Sequence, residues 1–442
     1  MLEALRDALW GWHVLLLILA AGIFFSCSTG FFQLRRLGSW LKVAVLGSRE
    51  QKKQGGVTQF QALTAALAGS IGTGNIVGVA AAITVGGPGA LFWMWVSSLF
   101  GMMTVFAENL LAARYKNAPG ALGYLEKAGK WGKPLAAFYA VGCCLSSFGM
   151  GNMTQTNACA VSLESFGLPA AVTGIFLAAL VFFVARGGLR FAVRITERLV
   201  PAMTLLFFAA SLGVLWVFRE NLPGAFHSIL EGAFSLRAGV GGTAGALLAL
   251  KTGVSRGVFT NEAGLGSSAF AYGEVKGKTS IELGYLGIFQ VFVDTIVMCT
   301  VTGLCILCCR SPMLEGAKLT FFAYESALGP IGSWAVSLCT ALFALATVIS
   351  WCCYGREGLF YLTKGKGKTL FALAAAAAAY FGCILPLSAV FQLGDAFNGL
   401  MAIPNILALF RHRKEVLDVV REAETNRAKA GKRRLSQNFQ KT

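Results

Sequence analysis

Charge is scarce in this chain. Of 442 residues, 13% are Asp, Glu, Lys or Arg and 56% are hydrophobic, whereas soluble domains carry about 25% charge. The shortage excludes an ordinary soluble domain. Apolar stretches long enough to cross a bilayer recur along the sequence, as in a polytopic membrane protein. Histidine is scarcer still. His13, His227 and His412 are the only three, none placed to join a metal site or a triad at membrane depth, and no nucleophile–base arrangement accompanies them, so an intramembrane enzyme lacks its parts. Cysteine is not scarce, but its twelve copies are scattered through apolar stretches, where small soft side chains pack well. Cys305-x-x-Cys308-Cys309 has a metal-like spacing yet stands without a second Cys pair or His cluster, so no cofactor is expected.

Acidic residues are outnumbered 21 to 38, a net charge of +17. Eleven spans are expected, over 10–32, 58–85, 89–113, 135–163, 170–186, 197–218, 239–272, 283–309, 333–355, 369–386 and 388–410. The first is too long for a signal peptide's apolar region and has no clear cleavage site after it. With these spans the bases collect on one side. They are Arg35, Arg36, Lys42, Arg49, Lys52 and Lys53; Arg114, Lys116, Lys127, Lys130 and Lys133; Arg186, Arg190 and Arg194; Arg356, Lys364, Lys366 and Lys368; and the tail from Arg411. The opposite side holds Arg6, Arg219, Arg237, Arg310 and Lys318. This is the positive-inside pattern, which places the N-terminus outside and the C-terminus in the cytoplasm of a cell membrane. The basic charge is thus a topology signal, with an anionic-lipid contact for the tail, and not a nucleic-acid footprint. The tail, 411–442, reads as an amphipathic helix that ends disordered.

The most informative stretch is Gly69-Ser70-Ile71-Gly72-Thr73-Gly74-Asn75-Ile76-Val77-Gly78, which interrupts the 58–85 span. Each helical Gly costs about 1 kcal/mol against Ala. Irregular backbone at membrane depth survives only where it is buried in protein or lines a cavity. A second interruption is expected between Lys251 and Ser268, around Gly253, Gly257, Gly264 and Gly266. After the first span the other ten divide five and five, each half opening on a broken helix: 58–218 and 219–410, preceded by an extra segment over 1–57. An odd number per half makes the two enter the membrane from opposite faces. That is the layout of an inverted-repeat secondary transporter with its site at the paired breaks. A channel would call for a charged or carbonyl-lined pore, usually in a symmetric oligomer, which this single-chain layout does not suggest.

Two blocks resemble the alanine/glycine:cation symporter family. Gly86-Gly87-Pro88-Gly89-Ala90-Leu91-Phe92-Trp93-Met94-Trp95-Val96-Ser97-Ser98-Leu99-Phe100-Gly101 looks like that family's signature, and the Gly69–Gly78 block is similar to its first break. Gly151 to Asn157, Asn261 to Gly264 and Trp351 to Gly355 look similar too, so the match runs from about residue 10 to 410. The resemblance implies a LeuT-type fold of ten core helices plus one extra. It also implies Na+-coupled import of small neutral amino acids such as alanine and glycine. H+ coupling, or serine or glutamine as substrate, is the alternative on the same fold.

Gly72, Thr73, Gly74 and Asn75 are the first candidate substrate set, because a half-helix N-terminus offers free N–H donors to a carboxylate. The carbonyls of Ala68, Gly69 and Ile71, freed by the break, suit Na+. Thr347 and Ser350, about one turn apart in the span near residue 345, either complete that shell or bond back to the preceding turn. The resemblance puts Thr347 at the family's sodium-ligand position, while Ala346 stands where the family often has Ser and removes an oxygen. Trp351, one turn after Thr347, either caps a small pocket or anchors at the interface. Asn152 and Gln155, three apart, are expected to share a face toward the ligand, with Asn157 pointing elsewhere. Among intramembrane carboxylates, Glu108 is expected to pair with Arg114 or another base. Glu262 is expected to pair with Lys251 or Arg256 in an inner gate. Asp294 is expected to hold the shape of the broken helices.

Overall fold

The computed structural model describes residues 2–47, 57–164, 166–234, 242–275, 279–309, 314 and 316–439. Among them the only β pairing is an isolated bridge between Val57 and Val275. The regular structure is otherwise helical, as it must be where no water is present to satisfy backbone groups. The positions Arg49, Lys52, Lys53, Arg237 and Arg310, counted above in the charge pattern, lie outside the described residues.

The first span comprises α1 (Leu2–Trp10) and α2 (Trp12–Ser28), jointed at Gly11. The second begins at a capping box, where Thr58 and Gln61 satisfy each other's backbone N–H groups, closing two of the donors that a helix start leaves open. It yields α3 (Gln59–Ser70), a tight turn over Thr73–Asn75 and α4 (Val77–Gly86). There follow α5 (Gly89–Arg114), α6 (Gly132–Phe148) continued through a π-helical turn at Gly149–Met153 into α7 (Thr154–Glu164), α8 (Ala170–Gly187) and α9 (Leu189–Val217).

The second half starts with α10 (Gly242–Asn261), a turn over 262–268 and a short helical turn at Ala269–Tyr272. Next, α11 (Ser280–Val291) opens on a second capping box, Thr279 with Glu282, and runs through a π-helical turn at Phe292–Cys299 into α12 (Thr300–Cys308). The chain then forms α13 (Pro330–Thr363), α14 (Lys368–Ile384), α15 (Leu387–Arg411) and α16 (Arg413–Phe439).

The second interruption is shorter than the sequence suggests. Lys251 to Asn261 is continuous helix. The chain leaves it at Glu262, with positive φ at Glu262, Gly264 and Gly266. Gly253 and Gly257 therefore serve close packing: a Cβ at Gly253 would lie 2.3 Å from the Ala90 carbonyl oxygen, and one at Gly257 would lie 2.4 Å from the Ser97 hydroxyl. The tail also departs from expectation, since its helix continues to Phe439.

Among the described residues eight helices are long and apolar enough to cross a membrane. The three other expected spans are not among them. The break cuts 58–85 in two, α10 carries Lys251 and Arg256, and α14 has 17 residues. Equivalent helices of the two halves pack on each other: α5 on α11, α6 on α13 and α8 on α14. The first interrupted helix lies alongside α10, which brings the two breaks together at the centre.

Candidate functional site

Leaving a helix frees backbone groups, and the first break shows where they go. The amide of Gly72 would have bonded to Ala68 and that of Thr73 to Gly69 in a continuous helix. Instead the Gly72 N–H donates to Asn75 Oδ1 and the Thr73 N–H to Gln155 Oε1, each at 3.0 Å. The carbonyls of Ala68 and Gly69 are left without a helical partner. The Thr347 hydroxyl faces another carbonyl of the break, donating to Ile71 at 3.4 Å. Among the described residues the Gly74 amide has no acceptor. Oxygen acceptors on one lip and an N–H donor on the other make a site suited to a cation beside a carboxylate.

The turn is held from outside. Asn75 Nδ2 donates to the backbone oxygen and to Oδ1 of Asp294, both at 2.9 Å, and the Thr295 hydroxyl donates to Asp294 Oδ2 at 2.8 Å. Asp294 therefore joins the break to the π-helical turn of α11–α12. Asn75 is occupied on both sides, by Gly72 and by Asp294, so it shapes the turn from within. Gln155 Oε1 also accepts the Thr73 hydroxyl at 3.0 Å.

Several expectations are corrected. Asn152 and Gln155 do not share a face. The π-helical turn at Gly149–Met153 inserts a residue into the helical phase. Asn152 consequently points at α14, donating to Ala375 at 2.7 Å, alongside Asn157, which donates to Gly382 and Leu385 at 2.9 and 2.8 Å. Only Gln155 reaches the break. The Ser350 hydroxyl donates to Ala65 at 3.0 Å, short of the freed carbonyls. Glu108 does not meet Arg114. It is fully buried and accepts from Asn405 Nδ2 at 2.7 Å and from the Gly266 N–H at 3.2 Å, while Arg114 stands 4.0 Å from Glu415. Glu262 meets neither Lys251 nor Arg256, because its left-handed φ of 60° takes it off the register of α10. It accepts the Ser267 hydroxyl and the indole N–H of Trp351, the latter at 2.8 Å.

Arg256 finds Asp395 of α15 instead, with its guanidinium over the rings of Phe259 and Phe391. Sequence reasoning missed Asp395, although the rule that flags an intramembrane carboxylate applies to it equally. This pair lines a cavity of about 370 Å³ together with Arg6, Asp7, Lys251 and Ser255. At the other end of the bundle a cavity of about 410 Å³ is lined by Arg190, Glu274, Phe270, Tyr354 and Arg356. Phe270 and Tyr354 stack there with centroids 5.6 Å apart. The first cavity reaches Val85, at the far end of the first interrupted helix, and the second reaches Val57, just before its start. Neither lining includes Gly72, Thr73, Gly74 or Asn75, and all four residues are buried, so the break is shut off from both vestibules.

A family model described as the sodium:alanine symporter family matches residues 1–438. The sodium/alanine symporter AgcS of Methanococcus maripaludis is 37% identical, over 92% of this chain and 93% of that protein. An uncharacterized transporter of Haemophilus influenzae is 36% identical, over 95% of both chains. The probable sodium/glutamine symporter GlnT of Bacillus subtilis is 33% identical, over 97% of this chain and 91% of that one. Among solved structures, that of MhsT in complex with L-phenylalanine superposes with a TM-score of 0.58 at 16% identity, covering 82% of this chain and 98% of the other. At that identity the likeness speaks for the LeuT-type fold alone.

Proposed function

The chain belongs to the sodium:alanine symporter family, a family of multi-pass membrane transporters, and on that premise we propose that it imports alanine or glycine together with Na+ by alternating access. The observation that carries the proposal is the first break, where the freed carbonyls of Ala68 and Gly69 stand beside the unpartnered Gly74 amide. Na+ takes the carbonyls of Ala68, Gly69 and Ile71 with the Thr347 hydroxyl. Ser350 joins this shell only by turning its hydroxyl from Ala65. The substrate carboxylate lies against the Gly74 amide with Thr73 and Gln155 beside it, and its small side chain faces Trp351. Asn75 and Asp294 hold the turn that presents these groups, and Asn152 takes no part.

The vestibules supply the two accesses. The Arg256–Asp395 pair with Phe259 and Phe391 closes one, and the Phe270–Tyr354 stack closes the other. Opening one while the other stays shut moves ion and amino acid across together. An inwardly directed Na+ gradient drives the step inward, and the basic residues gathered on one set of loops support a cytoplasmic C-terminus.

Ligand-induced stabilisation of the purified protein tests the pairing of ion and substrate. A ligand that binds only the folded state stabilises it by about 2.7 kcal/mol at a concentration 100 times its Kd. Alanine is expected to raise the melting temperature in Na+ but not in K+ buffer. Equal shifts in both buffers would overturn Na+ as the coupling ion, and no shift in either would overturn alanine.

A further inference from the structure

Trp351 is seated from two sides by different segments of the chain. Its indole N–H donates to Glu262 Oε1 at 2.8 Å. Its base lies on Gly151, where a Cβ would come within 2.3 Å of the Trp351 Cβ and 2.4 Å of its Cγ. Tyr354 meets the ring at 65°, centroids 5.7 Å apart. Trp351 is wholly buried and Glu262 is 2% exposed. The second carboxyl oxygen of Glu262 accepts the Ser267 hydroxyl from the far side of the second break.

The break does not need a carboxylate at this place. Gly264 and Gly266 already supply the left-handed backbone that ends α10. A glutamate instead occupies a left-handed position of its own, with φ of 60°, a conformation that non-glycine residues rarely adopt and that the surrounding structure must enforce. What this conformation accomplishes is to deliver a carboxylate oxygen to the Trp351 N–H. The torsions of an indole side chain leave it free to swing unless both its base and its N–H are held.

We propose that Glu262 is the positioning residue of Trp351 and thereby sets the size limit of the substrate pocket. The proposal rests on the reading of Trp351 as the wall of that pocket. With the N–H fixed and the base pressed on Gly151, the ring cannot rotate away from a side chain longer than that of alanine. Once released, it turns aside and the pocket lengthens. Glu262 touches neither ion nor amino acid in this account; it acts through the ring.

The test is the ratio of inhibition constants for leucine and alanine, measured against labelled alanine uptake in proteoliposomes. Glu262→Ala is expected to lower the ratio about tenfold. Glu262→Gln, which keeps an acceptor oxygen, is expected to hold it within about twofold. Trp351→Phe removes the donor and lowers the ratio by itself, and adding Glu262→Ala in that background is expected to change nothing further, because the two side chains act as one unit. A Glu262→Ala protein that loses rate but keeps its ratio, or effects of the two substitutions that simply add, would overturn the positioning role. An unchanged ratio in Trp351→Phe would instead overturn the pocket-wall reading. Should Glu262→Ala not reach the membrane, Ser267→Ala, which unties the other carboxyl oxygen, is expected to lower the ratio about threefold, and an unchanged ratio there overturns the proposal.

Discussion

At the residue scale, the account turns on a few oxygen atoms. Thr347 is the side chain whose hydroxyl faces a freed carbonyl of the break, Ile71 at 3.4 Å. Thr347→Ala is expected to raise the Na+ concentration for half-maximal uptake about tenfold, the equivalent of about 1.4 kcal/mol. An unchanged Na+ dependence would remove Thr347 from the ion's shell. Asn75 tests the shape of the turn separately from the ion. Its side chain accepts from Gly72 and donates twice to Asp294, so Asn75→Ala leaves buried polar groups without partners, each costing about 1–3 kcal/mol. A large fall in melting temperature without ligand is expected, and a wild-type value would contradict the assignment. That Thr347, Asp294 and Gln155 find buried hydrogen-bond partners was within reach of the sequence, because a polar side chain deep in an apolar span must find one. The Arg256–Asp395 pair and the Trp351–Glu262 bond were not. Their members are distant along the chain, and nothing local says which base meets which acid.

At the scale of elements, the first break was legible and the π-helical turns were not. A break needs Gly and small polar residues in mid-span, and Gly69 to Gly78 advertises that. A π-helical turn needs only one residue more per turn, so Gly149–Met153 leaves no sign in the pattern, yet it decides that Asn152 faces α14 while Gln155 faces the break. The second break was placed too broadly because glycines that let helices approach look like glycines that end them.

The tail helix α16 shows a further coupling. Val416 and Val420 are buried, Glu424 pairs with Arg35 at 2.8 Å, and Glu415 accepts the Tyr115 hydroxyl at 2.7 Å. Both ring nitrogens of His412 face acceptors, the Tyr124 carbonyl at 3.0 Å and the Glu415 carboxylate at 2.9 Å. Partial burial pushes the Glu415 carboxyl up, but hydrogen bonds from His412 and Tyr115, with the charges of His412 and Arg114, outweigh it and hold the group below its usual range. A carboxyl depressed in the docked state supports docking above the ordinary glutamate value of about 4.3 and ceases to as pH falls through its own lower value. Protease cleavage of the tail in detergent is therefore expected to accelerate at acid pH in the wild type, with less pH dependence in Glu415→Gln. Equal pH dependence in both would contradict this role of Glu415.

At the scale of the whole molecule, the composition points to a membrane, and the alternation of basic loops underlies the expected orientation. The pairing of equivalent helices across the two halves, α5 on α11, α6 on α13 and α8 on α14, is the packing expected of an inverted-repeat transporter. Opposed vestibules of about 370 and 410 Å³ with the break between them fit one site reached in turn from each side. If so, Arg256→Ala weakens one closure and leaves the ion site in place. It is expected to reduce accumulation of alanine at least threefold while shifting the half-saturating Na+ concentration by less than twofold. A shift in Na+ dependence as large as that of Thr347→Ala would place Arg256 at the ion site and not at a closure.

Under the proposed function, downhill Na+ movement drives amino acid uphill through this chain. The most direct measurement is the accumulation of labelled alanine in proteoliposomes under an inward Na+ gradient, followed after the gradient is collapsed with a Na+ ionophore. The internal alanine concentration is expected to rise above the external one and to fall back on collapse. Alanine that only equilibrates, or that accumulates equally under a pH gradient without Na+, would contradict it.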